Sequence, residues 1–201
     1  GKQNGGSAPK DFATLPMINK YNTATLNEAG ITNDIEEIAG RTNGSLQGLE
    51  FRLKSMDSFS RKVWSASQKG NAAEAKTLAG VHDLIRYTIT TNPNQYVDDY
   101  SAAIELLKDK GYTLVRVKNS WGIENTSYWG VNTILEAPNQ QAFELQFHTP
   151  ESFNLKNGTL HTLYEEARLL SPGTARYQEI NAQMIELTKQ LEVPLGIEAI
   201  K

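Results

Sequence analysis

Three polar side chains of different chemistry alternate with apolar ones in the segment FELQFHT, residues 143–149. Glu144, Gln146 and His148 occupy every second position, and the side chains of a β-strand alternate between its two faces. A strand here would place a carboxylate, an amide and an imidazole on one face and three apolar groups on the other. Such a face is either the floor of a polar cleft or the solvated outer face of an antiparallel sheet.

A second strand is predicted directly before this one. Val131, Thr133 and Leu135 alternate in the same way, and residues 138–141, PNQQ, are typical of a turn. Residues 128–150 are therefore expected to form a strand, a tight turn and a returning strand, around which the rest of the domain is organised.

Cations cluster within residues 49–62. Residues 49–55 are expected to form a strand that places Arg52 and Lys54 together on one face. Ser58, Arg61 and Lys62 follow on a predicted helix. Most such cations belong to a solvated face, so the order of the surrounding motifs must decide whether this cluster is a binding site.

A carboxylate lies in another apolar segment. Residues 79–91, AGVHDLIRYTITT, are rich in β-branched side chains and are predicted as a strand that contains Asp83 and Arg86. A buried aspartate is uncommon without a partner, which favours a functional role. The pair His82-Asp83 also suggests a metal hydrolase of the HD type. That site needs further histidine and aspartate ligands on helices, and the chain has three histidines in all, so we exclude it.

In this order, the motifs resemble the synthetase domain of the RelA/SpoT family. The similarity comprises R-x-K and S-x-x-R-K (residues 52–62), Asp83 and Arg86 on either side of Leu-Ile, Y-x-G-V-N (128–132) and F-E-L-Q-F-H-T (143–149), and it spans roughly residues 45–170. It implies an α+β or α/β fold with a nucleotidyltransferase-like mixed β-sheet flanked by helices. It also implies an enzyme that transfers pyrophosphate from ATP to the 3′-hydroxyl of a purine nucleotide.

The resemblance assigns the cation cluster to the donor, ATP. A triphosphate carries about four negative charges, and fixed cations stabilise the charge that spreads over its oxygens during transfer. The expected ATP-binding residues are Arg52, Lys54, Ser58, Arg61, Lys62 and Arg86. For the acceptor, the resemblance implies a tyrosine that stacks on the purine base, here Tyr128. Further acceptor contacts are expected from Lys118, Asn132, Gln146, His148 and Lys156.

Asp83 and Glu144 are the expected catalytic pair. The resemblance implies that Asp83, helped by Glu144, holds Mg²⁺ against the donor phosphates, and carboxylate oxygens are ligands that suit this ion. Glu144 is also expected to take the proton from the acceptor 3′-hydroxyl or to orient it for in-line attack. The presence of both carboxylates argues against a nucleotide-binding module that has lost catalysis.

Two positions depart from the family pattern on the acceptor side. His148 stands where long family members carry arginine, and Asn132 stands where they carry histidine, so a preference for guanine is not implied. A domain of this kind is similar to small secreted or toxin-type relatives, some of which act on adenine nucleotides, make (p)ppApp and drain ATP. We therefore expect a toxin delivered into a target bacterial cytoplasm, with an immunity or antitoxin partner. The alternatives are a cytoplasmic housekeeping (p)ppGpp synthetase and a toxin that modifies the 3′ end of tRNA.

Length and composition fit one domain. The chain has 201 residues, a net charge of −3 and no cysteine, which excludes disulfides, thiolate metal sites and cysteine nucleophiles. Mixed charge and the lack of a long apolar segment argue against DNA binding and membrane insertion. Residues 1–14 are interpreted as a flexible leader or linker, and residues 15–201 as a single synthetase domain.

The remaining elements are predicted from periodicity and turn residues. Residues 15–28 are expected to be a short helical or irregular segment, and helices are expected at 31–41, capped by Asn33, and at 96–111, 159–170 and 175–191.

Other segments are predicted as a strand and connectors. Residues 112–118 should form a strand with Leu114, Arg116 and Lys118 on one face, and residues 69–74, 119–128 and 150–156 should connect elements. Trp121 and Trp129 are expected in the core, and His161 is expected to be packed and hydrogen-bonded rather than catalytic.

Overall fold

A mixed five-stranded β-sheet runs through the domain. The computed structural model describes residues 8–201, so residues 1–7 of the predicted leader lie outside the described part. The strands are β1 (Ser45–Gln47), β2 (Arg86–Thr90), β3 (Thr113–Asn119), β4 (Val131–Glu136) and β5 (Ala142–His148). Their spatial order is β1-β2-β5-β4-β3; β2 and β5 are parallel and the other neighbours are antiparallel. The predicted mixed sheet is confirmed.

Helices flank this sheet. The α-helices of the described part are α1 (Leu15–Gly40), α2 (Met56–Ser67), α3 (Asn71–Gly80), α4 (Tyr96–Asp109), α5 (Pro150–Leu155), α6 (His161–Ala167) and α7 (Ala175–Lys189). Short 3₁₀ turns lie at Leu49–Phe51 and Ile197–Ala199, and a kinked turn at Lys156–Leu160, with non-helical backbone at Gly158, joins α5 to α6. The helices predicted at 96–111 and 175–191 are confirmed with ends that differ by two residues at most.

β4 and β5 form the expected hairpin, and one face of it lies in the hydrophobic core. Val131 pairs with Phe147 and Leu135 with Phe143, and all four side chains are fully buried. The same core contains apolar residues of α1 and α4 and both Trp121 and Trp129, as predicted. The alternation read from the sequence therefore corresponds to burial.

The polar face of β5 is also closed to solvent. Glu144, Gln146 and His148 are 7%, 3% and 0% exposed. His148 is covered by Ser152, on α5, and by Tyr128, in the loop before β4. Of the two interpretations left open by the pattern, the polar cleft is therefore correct and the solvated face is wrong.

α1 is one continuous helix of 26 residues, whereas a short segment and a separate helix were predicted. Its cap is Thr14, whose side chain accepts a hydrogen bond from the Met17 N–H, and not Asn33. From Ala24 onward, one face of the helix is buried at every third or fourth position, at Ala24, Glu28, Ile31, Ile35 and Ile38. Packing of this stripe on the core offsets the helix-weakening effect of Gly30 inside it, since tertiary burial outweighs propensity.

Four other boundaries differ from the prediction. Residues 49–55 do not form a strand: Gly48 adopts a left-handed conformation (φ 63°) that starts a 3₁₀ turn, and the segment joins the sheet only through a bridge from Leu53 to Ile85. The strand predicted at 79–91 is limited to β2, residues 69–74 enter α3, and residues 150–156 form α5. α5 starts at a capping box between Thr149 and Ser152, whose side chains each accept from the other's N–H.

A β-bulge changes the predicted faces of β3. The pairing register with β4 shifts between Leu114 and Arg116. As a result, Leu114 packs against the core, while Arg116 and Lys118 line a cavity on the opposite face. The prediction that all three share one face is wrong, because the extra residue reverses the alternation.

The ends of the described part are attached to the domain. Phe12 packs against the core, and its carbonyl accepts a 2.7 Å hydrogen bond from Ser60 on α2. α6 and α7 enclose a smaller apolar cluster around Ile180 and Met184. None of the described helices is long and apolar enough to cross a bilayer.

Two glycines test this packing. Gly30 lies in the middle of α1 with open space around the position of a side chain, so Gly30→Ala should raise the free energy of unfolding by about 0.5–1 kcal/mol. A Cβ at Gly44 would lie 2.6 Å from Ile89 Cγ2 and 3.3 Å from the Thr90 carbonyl. Gly44→Ala should therefore lower the free energy of unfolding by about 1–3 kcal/mol. Urea unfolding of both variants measures the difference. Equal effects would contradict the described packing.

Candidate active site

The cleft face of the sheet carries two rows of side chains that run across the strands. Each row consists of residues that are paired with one another on neighbouring strands. The first row is Arg86, Glu144, Ile134 and Arg116, and the second is Thr88, Gln146, Asn132 and Lys118. Charged groups of both signs therefore meet on a surface whose position is fixed by backbone pairing.

Arg86 connects the two predicted catalytic carboxylates. Its Nε lies 2.8 Å from Glu144 Oε2, and its Nη2 lies 3.5 Å from Asp83 Oδ2. Arg86 and Glu144 are direct neighbours in the parallel pairing of β2 and β5, and Asp83 lies in the segment that leads into β2. Two carboxylates far apart in sequence thus contact the same guanidinium.

Two lysines complete the surroundings of Asp83. Lys54 Nζ lies 3.0 Å from Oδ2 and Lys62 Nζ lies 3.4 Å from Oδ1. Burial by itself would raise the pKa of Asp83, but the hydrogen bond and charge of Lys54 and the charges of Lys62 and Arg86 outweigh it and lower the pKa. Asp83 is therefore ionised at neutral pH.

A cavity of about 280 Å³ opens in front of this group. Its walls include Lys62, His82, Asp83, Arg86, Arg116, Lys118, Asn132 and Glu144. A second groove of about 300 Å³ lies along the 3₁₀ turn and the start of α2, with Phe51, Arg52, Lys54, Ser58, Asp83 and Arg86 among its walls. Asp83 and Arg86 border both spaces, so the two form one elongated site.

The predicted ATP-binding residues are not all in equivalent positions. Arg52 lines the groove, but its guanidinium contacts Glu28 of α1 and donates to the Leu49 carbonyl at 2.9 Å. Lys62 faces Asp83, whereas Arg61 donates to Ser58 and lines a separate groove beside Lys10. The structure thus brings Lys54, Lys62 and Arg86 to the carboxylates, while Arg61 contacts Ser58 at the edge of the groove and faces the neighbouring groove beside Lys10.

Gln146 and Lys156 continue the network beyond Glu144. Gln146 Nε2 donates to Glu144 Oε1 at 2.8 Å, and Lys156 Nζ donates to Gln146 Oε1 at 2.6 Å. Lys156 directly follows α5, two residues before a kink at Gly158 (φ −96°, ψ −106°) that separates α5 from α6. Burial, assisted by the charge of Arg86 and opposed by that of Glu144, lowers the pKa of Lys156 to about 8.

Tyr128, the tyrosine predicted to stack on a purine, lies beside Asn132 and His148 on the cleft face of the sheet. Its hydroxyl contacts Asn132 Oδ1 at 2.6 Å and His148 Nε2 at 2.9 Å, and its ring meets His148 edge-on. Burial raises the pKa of Tyr128, so the phenol is protonated. It also lines a largely apolar groove of about 330 Å³ whose walls include Lys156, His161 and Tyr164. His161 is exposed, so its predicted packed role is wrong.

Sequence reasoning missed three residues at this site. Arg116 was assigned to β3 but not to the site; its alternation with Lys118 was a usable signal. His82 lines the cavity, and burial together with the charges of Lys20 and Arg116 lowers its pKa. Glu28, which contacts Arg52, gave no local signal because α1 is distant in sequence.

The donor set suits a hard divalent cation. Asp83 and Glu144 supply carboxylate oxygens at one place, and Asp83 is ionised. No group of three or more histidine, aspartate or glutamate side chains in residues 8–201 is close enough to hold a metal ion by itself. Mg²⁺ usually binds to one or two carboxylates, with water and substrate phosphates as its other ligands, so the residues fit this ion.

This chain has the fold of the small alarmone synthetases. The type VI effector Tas1, crystallised with its immunity protein, is similar to it with a TM-score of 0.59 and 19% identity, covering 89% of this chain and 97% of that chain. Small alarmone synthetases 2 and 1 from Bacillus subtilis have TM-scores of 0.54 and 0.55 and identities of 16% and 12%. Each of these two matches covers 86% of this chain; the matched part is 88% of synthetase 2 and 86% of synthetase 1. No family model and no curated protein sequence matches the chain.

The buried lysine gives a prediction about pH. Lys156 should lose its proton near pH 8 instead of at the ordinary value of 10.5. Because the unfolded chain keeps this proton to higher pH, the contribution of Lys156 to stability should rise between about pH 8 and 10.5. NMR titration of the lysine side chains, with Lys156→Met to assign the signal, measures the pKa. A midpoint at or above the ordinary lysine value would contradict the described burial.

Proposed function

We propose that this chain is an enzyme that transfers pyrophosphate from ATP to the 3′-hydroxyl of a purine nucleotide. One observation carries the proposal: Asp83 and Glu144 contact one guanidinium beside a pair of lysines, in a cleft of suitable size. The fold shared with Tas1 and the small alarmone synthetases supports it.

The donor binds along the groove at the start of α2. Lys54 and Lys62 reach the border between groove and cavity, and Ser58 and Arg52 line the groove further out. Fixed ammonium and guanidinium groups match the charge of a triphosphate in a partly desolvated site. The β-phosphorus of ATP would then lie near Arg86, within reach of the acceptor side.

Asp83 and Glu144 are the residues that would hold Mg²⁺. When bound, this ion polarises phosphoryl oxygens and offsets the charge on the leaving group. Lys54 and Lys62 do part of the same work with the protein's own charges, since both already lie beside Asp83.

Glu144 acts on the acceptor. Gln146 holds its Oε1 at 2.8 Å, which fixes the carboxylate plane, and Oε2 faces the guanidinium of Arg86. In the transfer, the acceptor 3′-oxygen bonds to the β-phosphorus, the bond from that phosphorus to the α,β-bridging oxygen breaks, and AMP leaves. The hydroxyl proton goes to Glu144.

The acceptor is a free adenine nucleotide in this proposal, and the product is (p)ppApp. Tyr128 supplies an aromatic ring beside the groove that also contains Lys156 and Tyr164, and an aromatic plane binds a purine face. The similarity to the type VI effector Tas1, over 97% of that chain, supports a toxin delivered into a bacterial cell and neutralised by an immunity protein.

The reaction is tested with γ-labelled ATP and Mg²⁺, with AMP, ADP, ATP, GDP, GTP or tRNA offered in turn. Label should move to adenine nucleotides, and Glu144→Gln should lower the rate by about 10²–10⁴-fold because the proton acceptor is lost. The control is Glu136→Gln, an exposed glutamate at the end of β4. Transfer to tRNA or to guanine nucleotides would identify the alternative acceptors, and an active Glu144→Gln enzyme would exclude the proposed mechanism.

Adjacent residues on α2 provide a matched pair for the donor side. Lys62→Ala should raise KM for ATP about tenfold to a hundredfold, because a charged contact to the phosphates is removed. Arg61→Ala should leave KM nearly unchanged, since Arg61 lies in the separate groove beside Lys10. Both variants remove one positive charge. A difference between their KM values for ATP, measured at the same ionic strength, therefore reports the location of the cation and not the net charge of the protein. A larger effect of Arg61→Ala than of Lys62→Ala would place the donor in the groove beside Lys10.

A further inference from the structure

Four polar side chains form a continuous hydrogen-bonded row at the acceptor end of the cleft. Ser152 Oγ lies 2.9 Å from His148 Nδ1, His148 Nε2 lies 2.9 Å from the Tyr128 hydroxyl, and that hydroxyl lies 2.6 Å from Asn132 Oδ1. Ser152 is on α5, His148 on β5, Tyr128 in the loop before β4 and Asn132 on β4. Two strands, a helix and a loop thus meet in one row.

The placement of Asn132 Oδ1 against the Tyr128 hydroxyl determines the direction of every hydrogen bond in the row. An amide oxygen can only accept, so the single hydroxyl hydrogen of Tyr128 is donated to Asn132. The tyrosine oxygen then offers only lone pairs to His148, whose Nε2 must carry the hydrogen. A neutral imidazole has one N–H, so Nδ1 accepts, and it does so from Ser152. The row therefore runs from Ser152 to His148 to Tyr128 to Asn132.

His148 meets the condition of neutrality on which this direction depends. It is 0% exposed, and burial, with the nearby charge of Lys156, lowers its pKa to about 3. The Ser152 oxygen accepts a hydrogen bond from the Thr149 N–H at 3.0 Å, which leaves its own hydrogen free to be donated. His148 Nδ1, at 2.9 Å, is a nearer acceptor for that hydrogen than the Thr149 carbonyl, at 3.2 Å.

Gly130 provides the space through which the row passes. A Cβ at this position would lie 2.7 Å from His148 Cε1 and 3.0 Å from the Tyr128 hydroxyl. Any other residue would push the imidazole and the phenol out of contact. The backbone at position 130 is therefore shaped for the row independently of its polar members.

The end of the row determines what Asn132 can offer a ligand. Its Oδ1 is occupied by Tyr128, and no group of residues 8–201 accepts a hydrogen bond from its Nδ2. Asn132 lines the 280 Å³ cavity and lies beside Lys118 in the register of β3 and β4. Two N–H hydrogens and an ammonium group form a surface that only donates, which suits an anionic oxygen.

We propose that Ser152, His148 and Tyr128 are positioning residues that hold the Asn132 amide with its N–H groups toward the cleft, where Asn132 and Lys118 bind a phosphate oxygen of the acceptor nucleotide. The inference rests on the proposed function for the identity of the ligand. The direction of the row itself depends only on the protein.

Kinetics test the role of the amide. In Asn132→Asp the side chain can still accept from Tyr128 but has no hydrogen to donate, so KM for the acceptor nucleotide should rise by about tenfold or more while KM for ATP changes by less than about twofold. Gly130→Ala should give the same acceptor-specific rise without changing a polar group. Equal changes in both KM values, or an unchanged acceptor KM, would overturn the proposal.

A matched pair on α5 separates positioning from stability. Ser152→Ala removes the donor to His148 and a part of the capping box, whereas Thr149→Ala removes the reciprocal part of the same box and leaves the Ser152 hydroxyl in place. Both should lower the unfolding midpoint, but only Ser152→Ala should raise the acceptor KM, by about three- to tenfold. An equal rise of the acceptor KM in Thr149→Ala would show that Ser152 acts only through the helix cap.

The tautomer of His148 can be measured without any substrate. In the ¹⁵N-labelled double variant His82→Gln, His161→Gln, the remaining histidine should be neutral at pH 7 with its hydrogen on Nε2, as read from long-range ¹H–¹⁵N couplings. A hydrogen on Nδ1, or an imidazolium, would overturn the row even in an active enzyme. A correct tautomer, together with no pyrophosphate transfer by the protein without these two substitutions, would instead refute the proposed function and leave the row intact.

Discussion

The contact of Arg86 with both Asp83 and Glu144 is the constraint on which the site depends. Two carboxylates shielded from solvent at one place, here the buried Glu144 and the half-buried Asp83, repel each other unless a cation lies between them. The parallel pairing of β2 with β5 places Arg86 directly beside Glu144, and the entry of the chain into β2 brings Asp83 to the same guanidinium. The crossover that makes the sheet mixed is therefore also what assembles the charged centre.

The two faces of the sheet divide the work between stability and chemistry. Phe143, Leu145 and Phe147 bury one face of β5 completely, while the alternate positions supply the cleft. A one-residue slip would exchange the faces, so the rigid apolar side specifies the register of the polar one. The bulge in β3 serves the same division, since it keeps Leu114 on the core while Arg116 and Lys118 reach the cleft.

The sequence was most informative where burial follows a local period. The alternation around Glu144 identified the hairpin, its two faces and the carboxylate, because strand geometry alone relates these positions. Arg61 and Lys62 could not be separated, since two adjacent residues on a helix differ only in direction, and direction depends on what α2 packs against. Residues 49–55 have the alternation of a strand, but the left-handed backbone of Gly48 starts a 3₁₀ turn at Leu49 instead. The contact of Arg52 with Glu28 required α1, which no local pattern connects to it.

The site is held ready by exchangeable ion pairs. Lys54, Lys62 and Arg86 are paired with Asp83 and Glu144, so none of these charges is buried alone, a condition that would cost several kcal/mol. In the proposed reaction, a triphosphate would pair with these cations, and Asp83 and Glu144 would then be able to hold a divalent cation. Gln146 donates to Glu144 Oε1 while Arg86 contacts Oε2, so the Glu144 carboxylate would keep one partner if a phosphate drew Arg86 away.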